Sequence, residues 1–187
     1  MTIRAFIAIG LPEGIRRDLA MLQALLPLPR RLEPEDFHLT LAFLGDQPEP
    51  VLEALHDGLS GLAAAQFSLT LKGAGLFGGV RPRVIWAGVA ESALLRHLQA
   101  RVARVAVQAG IPVATQGFNP HVTLGRAGAL EPDQRARLEA AVAAAHGFRA
   151  GPWQVEAIGL YASYPARKGA RYDLLADYPL TERASGR

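Results

Sequence analysis

The sequence predicts an α+β domain of two similar lobes facing one another, and three observations lead there. Short apolar runs of strand length alternate with amphipathic segments at helical spacing along all 187 residues. The unit His38-Leu39-Thr40-Leu41 returns as His121-Val122-Thr123-Leu124. In each half, the strand bearing this unit is followed by a helix and then by a strand pair. The same alternation also fits a single sheet. Half of the residues are apolar and no low-complexity linker divides them, so residues 1–187 are expected to form one rigid two-lobed unit.

The elements follow in order. Residues 3–11, "IRAFIAIGL", form an apolar and aromatic run that reads as a strand. Residues 12–26 open with Pro12 and Glu13 and carry apolar residues at helical spacing, which predicts a helix. Pro27, Pro29 and Pro34 mark a loop. A strand over 37–45 closes at Gly45 and Asp46, and a helix follows over 48–65. Residues 66–79 and 82–90 read as two strands around a glycine-rich turn. A long helix over 91–110 ends at Gly110, and 121–127 is a strand. A helix over 131–147 leads to strands over 153–164 and 170–180, joined by the basic turn "PARKGA". The tail 181–187 is polar and expected to be flexible.

Composition narrows the function classes. The net charge is +3, with 20 Lys and Arg against 17 Asp and Glu, and only Lys72 and Lys168 are lysines. That excess permits an anionic partner without amounting to a general nucleic-acid coat. The absence of cysteine removes disulfides, thiolate metal sites and cysteine nucleophiles. A cytoplasmic location is the default expectation. The N-terminal apolar run ends early at Pro12 and Glu13, so it reads as a strand rather than a signal peptide. No apolar stretch approaches the roughly 20 residues of a membrane helix, and no membrane association is expected.

The repeated unit carries the chemistry. Successive side chains of a strand point to opposite faces, so His38 shares a face with Thr40, and His121 with Thr123. Leu39, Leu41 and Phe43 would then face the core, as would Val122 and Leu124. Lobes packed with their polar sides inward would enclose two imidazoles and two hydroxyls. Imidazoles titrate near neutrality and divide acid–base work between them, each typically worth about 10²–10⁴-fold. Hydroxyls donate to oxygens that gain charge in the transition state. A phosphodiester suits this equipment: it is anionic, needs donors around its oxygens, and has an alkoxide leaving group that wants a proton. A lone histidine on a half-buried strand is more often structural, but two copies in matching places favour a site. Neither unit has the carboxylate or thiolate company of a metal site, so no metal and no cofactor is expected.

Paired His-apolar-Thr-apolar units so spaced resemble the two-histidine (2H) phosphoesterase superfamily. The finer resemblance is to the RNA 2′,3′-cyclic phosphodiesterases, also called 2′-5′ RNA ligases. It extends through "RAFIAIGLP", "FHLTLAFLGD", "RPRVIWAGV", "FNPHVTLGR" and "GLYAS", nearly the whole chain. The resemblance implies two lobes, each with an antiparallel sheet and outer helices, and an active-site cleft between them. It implies metal-independent opening of an RNA 2′,3′-cyclic phosphate to a 2′-phosphomonoester, with possible reversal as 2′-5′ ligation. His38 would donate the proton to the leaving 3′-oxygen, His121 would activate water, and Thr40 and Thr123 would hold phosphoryl oxygens. The residues alone leave open which histidine is acid and which is base. The expected partner is an RNA bearing a 2′,3′-cyclic phosphate end. No obligate protein partner is expected, and the chain is expected to be a monomer. Two other readings stay open: an RNA-end-binding or ligating protein, and a 2H phosphoesterase acting on small cyclic nucleotides or 2′-5′ oligonucleotides.

Four further residues are substrate-binding candidates. Arg126 follows the second unit and its planar donor fork suits phosphate, although strand parity turns it away unless Gly125 permits a bulge. Tyr161 and Ser163 share a face of one strand and could line the cleft. Phe118, just before the second unit, suits stacking on a base. Phe6 is expected in the core. Arg30, Arg31, Arg81, Arg83, Arg167, Arg171 and Lys168 fall mostly in loops and read as solvated charge. His56, His97 and His146 fall on helices without a Thr partner and read as surface.

Overall fold

The computed structural model describes residues 1–79, 81, 83–114, 117–166 and 169–182. Strand β1 (Thr2–Gly10) leads into helix α1 (Glu13–Leu25), and the two-residue strand β2 (Arg30–Arg31) interrupts the proline-rich loop. Strand β3 (His38–Pro48) carries the first unit and is followed by α2 (Glu49–Ser60), β4 (Phe67–Phe77), β5 (Val84–Val89) and α3 (Ala93–Gln108). Strand β6 (His121–Arg126) carries the second unit and precedes α4 (Pro132–Ala144), β7 (Arg149–Val155), β8 (Ala157–Ala166) and β9 (Gly169–Pro179).

The strands form one antiparallel path in the order β7-β4-β5-β6-β3-β1-β8-β9, with β2 attached to β6. Two four-stranded wings meet where β3 and β6 pair at Leu39 and Val122. Helices α2 and α3 pack on the β9-β8-β1-β3 wing, while α1 and α4 pack on the β6-β5-β4-β7 wing. The fold is therefore bilobal and α+β, but its lobes do not follow the halves of the chain. Strands β8 and β9 return to the wing begun by β1, and α1 crosses to the wing of β6.

Burial fixes this arrangement. Leu39 and Val122 are fully buried, and each is worth about 1.5–3 kcal/mol on the core face. A one-residue slip would expose both apolar rows, so the register that aligns the two units is strongly specified. Helix starts are locally encoded: the Ser92 hydroxyl accepts from the Leu95 N–H at 3.2 Å, and Glu131 with Gln134 forms a capping box.

Three expectations are corrected. The strand read over 153–164 is two strands broken at Glu156, because the chain crosses there from one wing to the other. The tail does not begin at 181: the Thr181 N–H donates to the Ala64 carbonyl at 2.8 Å and anchors the end of β9. Residues 183–187 lie outside the described residues, as do Arg167 and Lys168 of the basic turn. Third, Phe43 is 71% exposed rather than in the core. No helix among the described residues is long and apolar enough to cross a membrane.

Candidate active site

The antiparallel pairing of Leu39 with Val122 sets Thr123 across from His38, and His121 across from Thr40. All four side chains are half-buried, on the face opposite the buried Leu39, Leu41, Val122 and Leu124. The sheet thus brings both units side by side, with each imidazole beside the other unit's hydroxyl.

Both imidazoles are held in the same way. His38 Nδ1 lies 2.7 Å from the Asp36 carbonyl oxygen, and His121 Nδ1 lies 2.8 Å from the Asn119 carbonyl oxygen. A carbonyl only accepts, so each Nδ1 carries the hydrogen. Each neutral ring then leaves Nε2 as the free base, the same tautomer in both places. Burial lowers the pKa of His38, opposed by the Asp36 carbonyl and reinforced by the charge of His121. Burial also lowers that of His121, opposed by the Asn119 carbonyl.

Aromatic walls hold each ring. Phe6 stacks on His38 at 4.7 Å between centroids, and Tyr172 meets His38 edge-on at 5.1 Å. Tyr161 stacks behind Phe6 at 5.3 Å. Phe77 meets His121 edge-on at 4.8 Å, with Trp86 tilted against Phe77 at 5.0 Å. Burial raises the phenol pKa of Tyr172, helped by Asp36 and opposed by Arg126. Tyr161 is raised by burial and by Asp177.

A bulge closes each unit. Along β3, Ala8 pairs with Thr40 and Ile7 with Ala42, so Leu41 is the extra residue. Along β6, Trp86 pairs with Thr123 and Ile85 with Gly125, so Leu124 is the extra residue. One extra residue inverts the alternation beyond it. Arg126 therefore turns to the face of Thr123, where its charge reaches Tyr172 beside His38. Phe43 turns to the face of Thr40 for the same reason. Gly125 is required here, since a Cβ would lie 2.6 Å from the Arg30 carbonyl oxygen in β2.

Phe43, Phe77, Phe118, Gln99, Thr40 and His121 help line a cavity of about 480 Å³. Ser163 pairs across the strand from Tyr172. A second cavity, of about 530 Å³, lies between α1 and α4, away from both units. Of the sequence candidates, the structure gathers the four unit residues, Arg126 and Phe118, and seats Tyr161 and Ser163 on the wing behind His38. It adds Phe43, Phe77, Trp86 and Tyr172, which sequence reasoning missed, and Phe6, buried as expected, also forms the shelf under His38. Arg30, Arg31, Arg81, Arg83 and Arg171 are exposed, and so are His56, His97 and His146.

The family model of the 2′-5′ RNA ligase superfamily matches residues 12–165. A protein of Geobacillus stearothermophilus named RNA 2′,3′-cyclic phosphodiesterase is 36% identical over 87% of this chain; the match spans 51% of that longer protein. One of the same name from Aeropyrum pernix is 34% identical, over 84% of this chain and 89% of its own. The crystal structure of E. coli LigT complexed with 3′-AMP has a TM-score of 0.75 at 30% identity, covering 96% of this chain and 98% of that one.

Proposed function

The chain belongs to the 2′-5′ RNA ligase superfamily, and from that premise we propose that it hydrolyses RNA 2′,3′-cyclic phosphate ends to 2′-phosphomonoesters. The observation that carries the proposal is the matched pair of imidazoles, each with Nδ1 tied to a carbonyl two residues earlier. That arrangement leaves two Nε2 atoms for acid–base work on one phosphorus. His121 Nε2 takes a proton from water as the water oxygen bonds to phosphorus. The P–O3′ bond breaks, and protonated His38 delivers its proton from Nε2 to the departing 3′-oxygen. The products are a 2′-phosphomonoester and a free 3′-hydroxyl, and the two histidines end with their protonation states exchanged.

Thr40 and Thr123 donate to the non-bridging oxygens, and Arg126 offsets their charge with its planar fork. The cavity beside Thr40 and His121 takes the terminal base, with Phe43 and Phe118 as apolar surfaces; Tyr161 and Ser163 support the His38 side. A 5′-hydroxyl in place of water would form a 2′-5′ bond, the ligation counterpart. The two lobes act as one unit, and every residue invoked comes from one chain. The relatives' name, RNA 2′,3′-cyclic phosphodiesterase, supports the substrate class. The test is product analysis on an RNA with a 2′,3′-cyclic phosphate end, in excess EDTA. A 2′-phosphate product, lost in both His38→Ala and His121→Ala, is expected. A 3′-phosphate product would overturn the leaving-group assignment, and wild-type turnover in either variant would overturn the paired scheme. Turnover of mononucleotide cyclic phosphates alone would favour the small-nucleotide reading.

A further inference from the structure

Among the described residues, the buried polar side chains are Gln23 and Gln99, at 6% and 5% exposure. They stand in matching places. Gln23, on α1, donates from Nε2 to the Leu124 carbonyl at 2.8 Å and to the Leu32 carbonyl at 2.7 Å. Gln99, on α3, donates from Nε2 to the Leu41 carbonyl at 3.4 Å. Leu124 and Leu41 are the fourth residues of the two units and the extra residues of the two bulges. A bulge leaves its inserted residue out of the ladder, and a buried carbonyl there needs another donor. Gln99 supplies that donor to Leu41, and Gln23 adds one at Leu124, whose carbonyl also accepts from the Leu32 N–H at 3.1 Å; each glutamine reaches in from a helix packed on the strand concerned.

The consequence reaches the cleft. The bulge at Leu124 turns Arg126 onto the face of Thr123, and the bulge at Leu41 turns Phe43 onto the face of Thr40. Gln23 does more, because its second bond holds Leu32, next to β2, whose Arg30 pairs with Arg126. We propose that Gln23 and Gln99 are positioning residues: they pin the two bulges and so aim Arg126 and Phe43 into the cleft. This rests on the reading of Arg126 as a phosphate ligand and of Phe43 as a base surface.

Two double-mutant cycles test it, with kcat and KM measured separately on the cyclic-phosphate RNA and folding followed by circular dichroism. Gln23→Met keeps the volume and removes both donors. It is expected to lower kcat/KM by about 10- to 100-fold, the scale of a group misplaced by roughly 1 Å. In the Arg126→Ala background the same substitution should cost nothing further, since no guanidinium remains to be aimed. Gln99→Met should behave likewise with Phe43→Ala, raising KM in the wild-type background only. A purely structural role would instead give additive losses in both cycles, and that result would overturn the proposal. Failure of both methionine variants to fold would also overturn it, placing the glutamines in core stability alone. If Arg126→Ala by itself is silent, the phosphate reading fails separately, and the Phe43 cycle decides the positioning role.

Discussion

Gly75→Ala is the sharpest test of how the wing of β4 and β5 supports catalysis. Gly75 pairs with Trp86 across those strands, and the indole lies flat over it. A Cβ there would overlap indole carbons Cζ2 and Cη2 and sit 2.7 Å from Cε2. Carbon atoms pack at about 3.5–4.0 Å, so the ring must move by roughly 1 Å or more. Trp86 leans on Phe77, which meets His121 edge-on at 4.8 Å, so the displacement is passed to the His121 ring. Overpacking of this kind costs about 1–3 kcal/mol. In a domain of this size that lowers Tm by about 2–12 °C. A misplacement near 1 Å costs up to about 100-fold in rate. The assay is kcat/KM on the cyclic-phosphate RNA beside a thermal melt. Trp86→Leu in the Gly75→Ala background should recover part of the Tm, because it removes the overlapping ring. Gly128→Ala, where a Cβ meets nothing within 4 Å, is the silent control. A Gly75→Ala enzyme with wild-type kcat/KM and an unshifted Tm would refute the coupling of Trp86 to His121.

The remaining predictions concern protons. Both histidines are pushed below the ordinary imidazole value of 6.5, so the bell of kcat/KM against pH should centre on the acid side of that value. The bell of kcat should lie at higher pH, because the bound phosphodiester anion favours protonated imidazole; coincident bells would contradict this. Lowered folded-state pKa values mean that the unfolded chain binds more protons, so these groups' stability is present above 6.5 and lost as pH falls through the folded pKa values. Melts across that range should show the loss, and His38→Gln with His121→Gln should flatten it.

The alternation of His38-Leu39-Thr40-Leu41 was enough to separate core from cleft side chains, and the repeat was enough to pair the two units. What alternation does not encode is where it breaks. Leu41 and Leu124 look like ordinary core leucines, yet each is the inserted residue of a bulge. Parity counted through them sends Phe43 to the core and Arg126 away from the histidines, and the structure reverses both. Aligning "HLTLAF" with "HVTLGR" would have matched Phe43 to Arg126 and linked their fates. The aromatic walls were illegible for a different reason. Phe77 and Trp86 come from the consecutive strands β4 and β5 and Tyr172 from β9, all distant in sequence from at least one of the histidines, and only the sheet order brings them there.

The same sheet order bears on how a repeated unit could take the two different roles proposed for it. Backbone geometry treats the histidines alike: the same carbonyl two residues back, the same tautomer and the same bulge three residues on. Asymmetry therefore has to enter from the neighbours. On one side the bulge delivers a guanidinium, Arg126, whose charge reaches Tyr172 beside His38. On the other it delivers an apolar ring, Phe43, next to the cavity by Thr40 and His121. Burial and the charge of His121 both work against a proton on His38, opposed by the Asp36 carbonyl. In the proposed mechanism an anionic phosphodiester between the histidines would reverse the balance, and the proton needed by the leaving oxygen would arrive with the substrate's charge. In the proposed reaction the division of labour would then come from what surrounds the two histidines, Arg126 and Phe43 among it, rather than from their own backbone geometry.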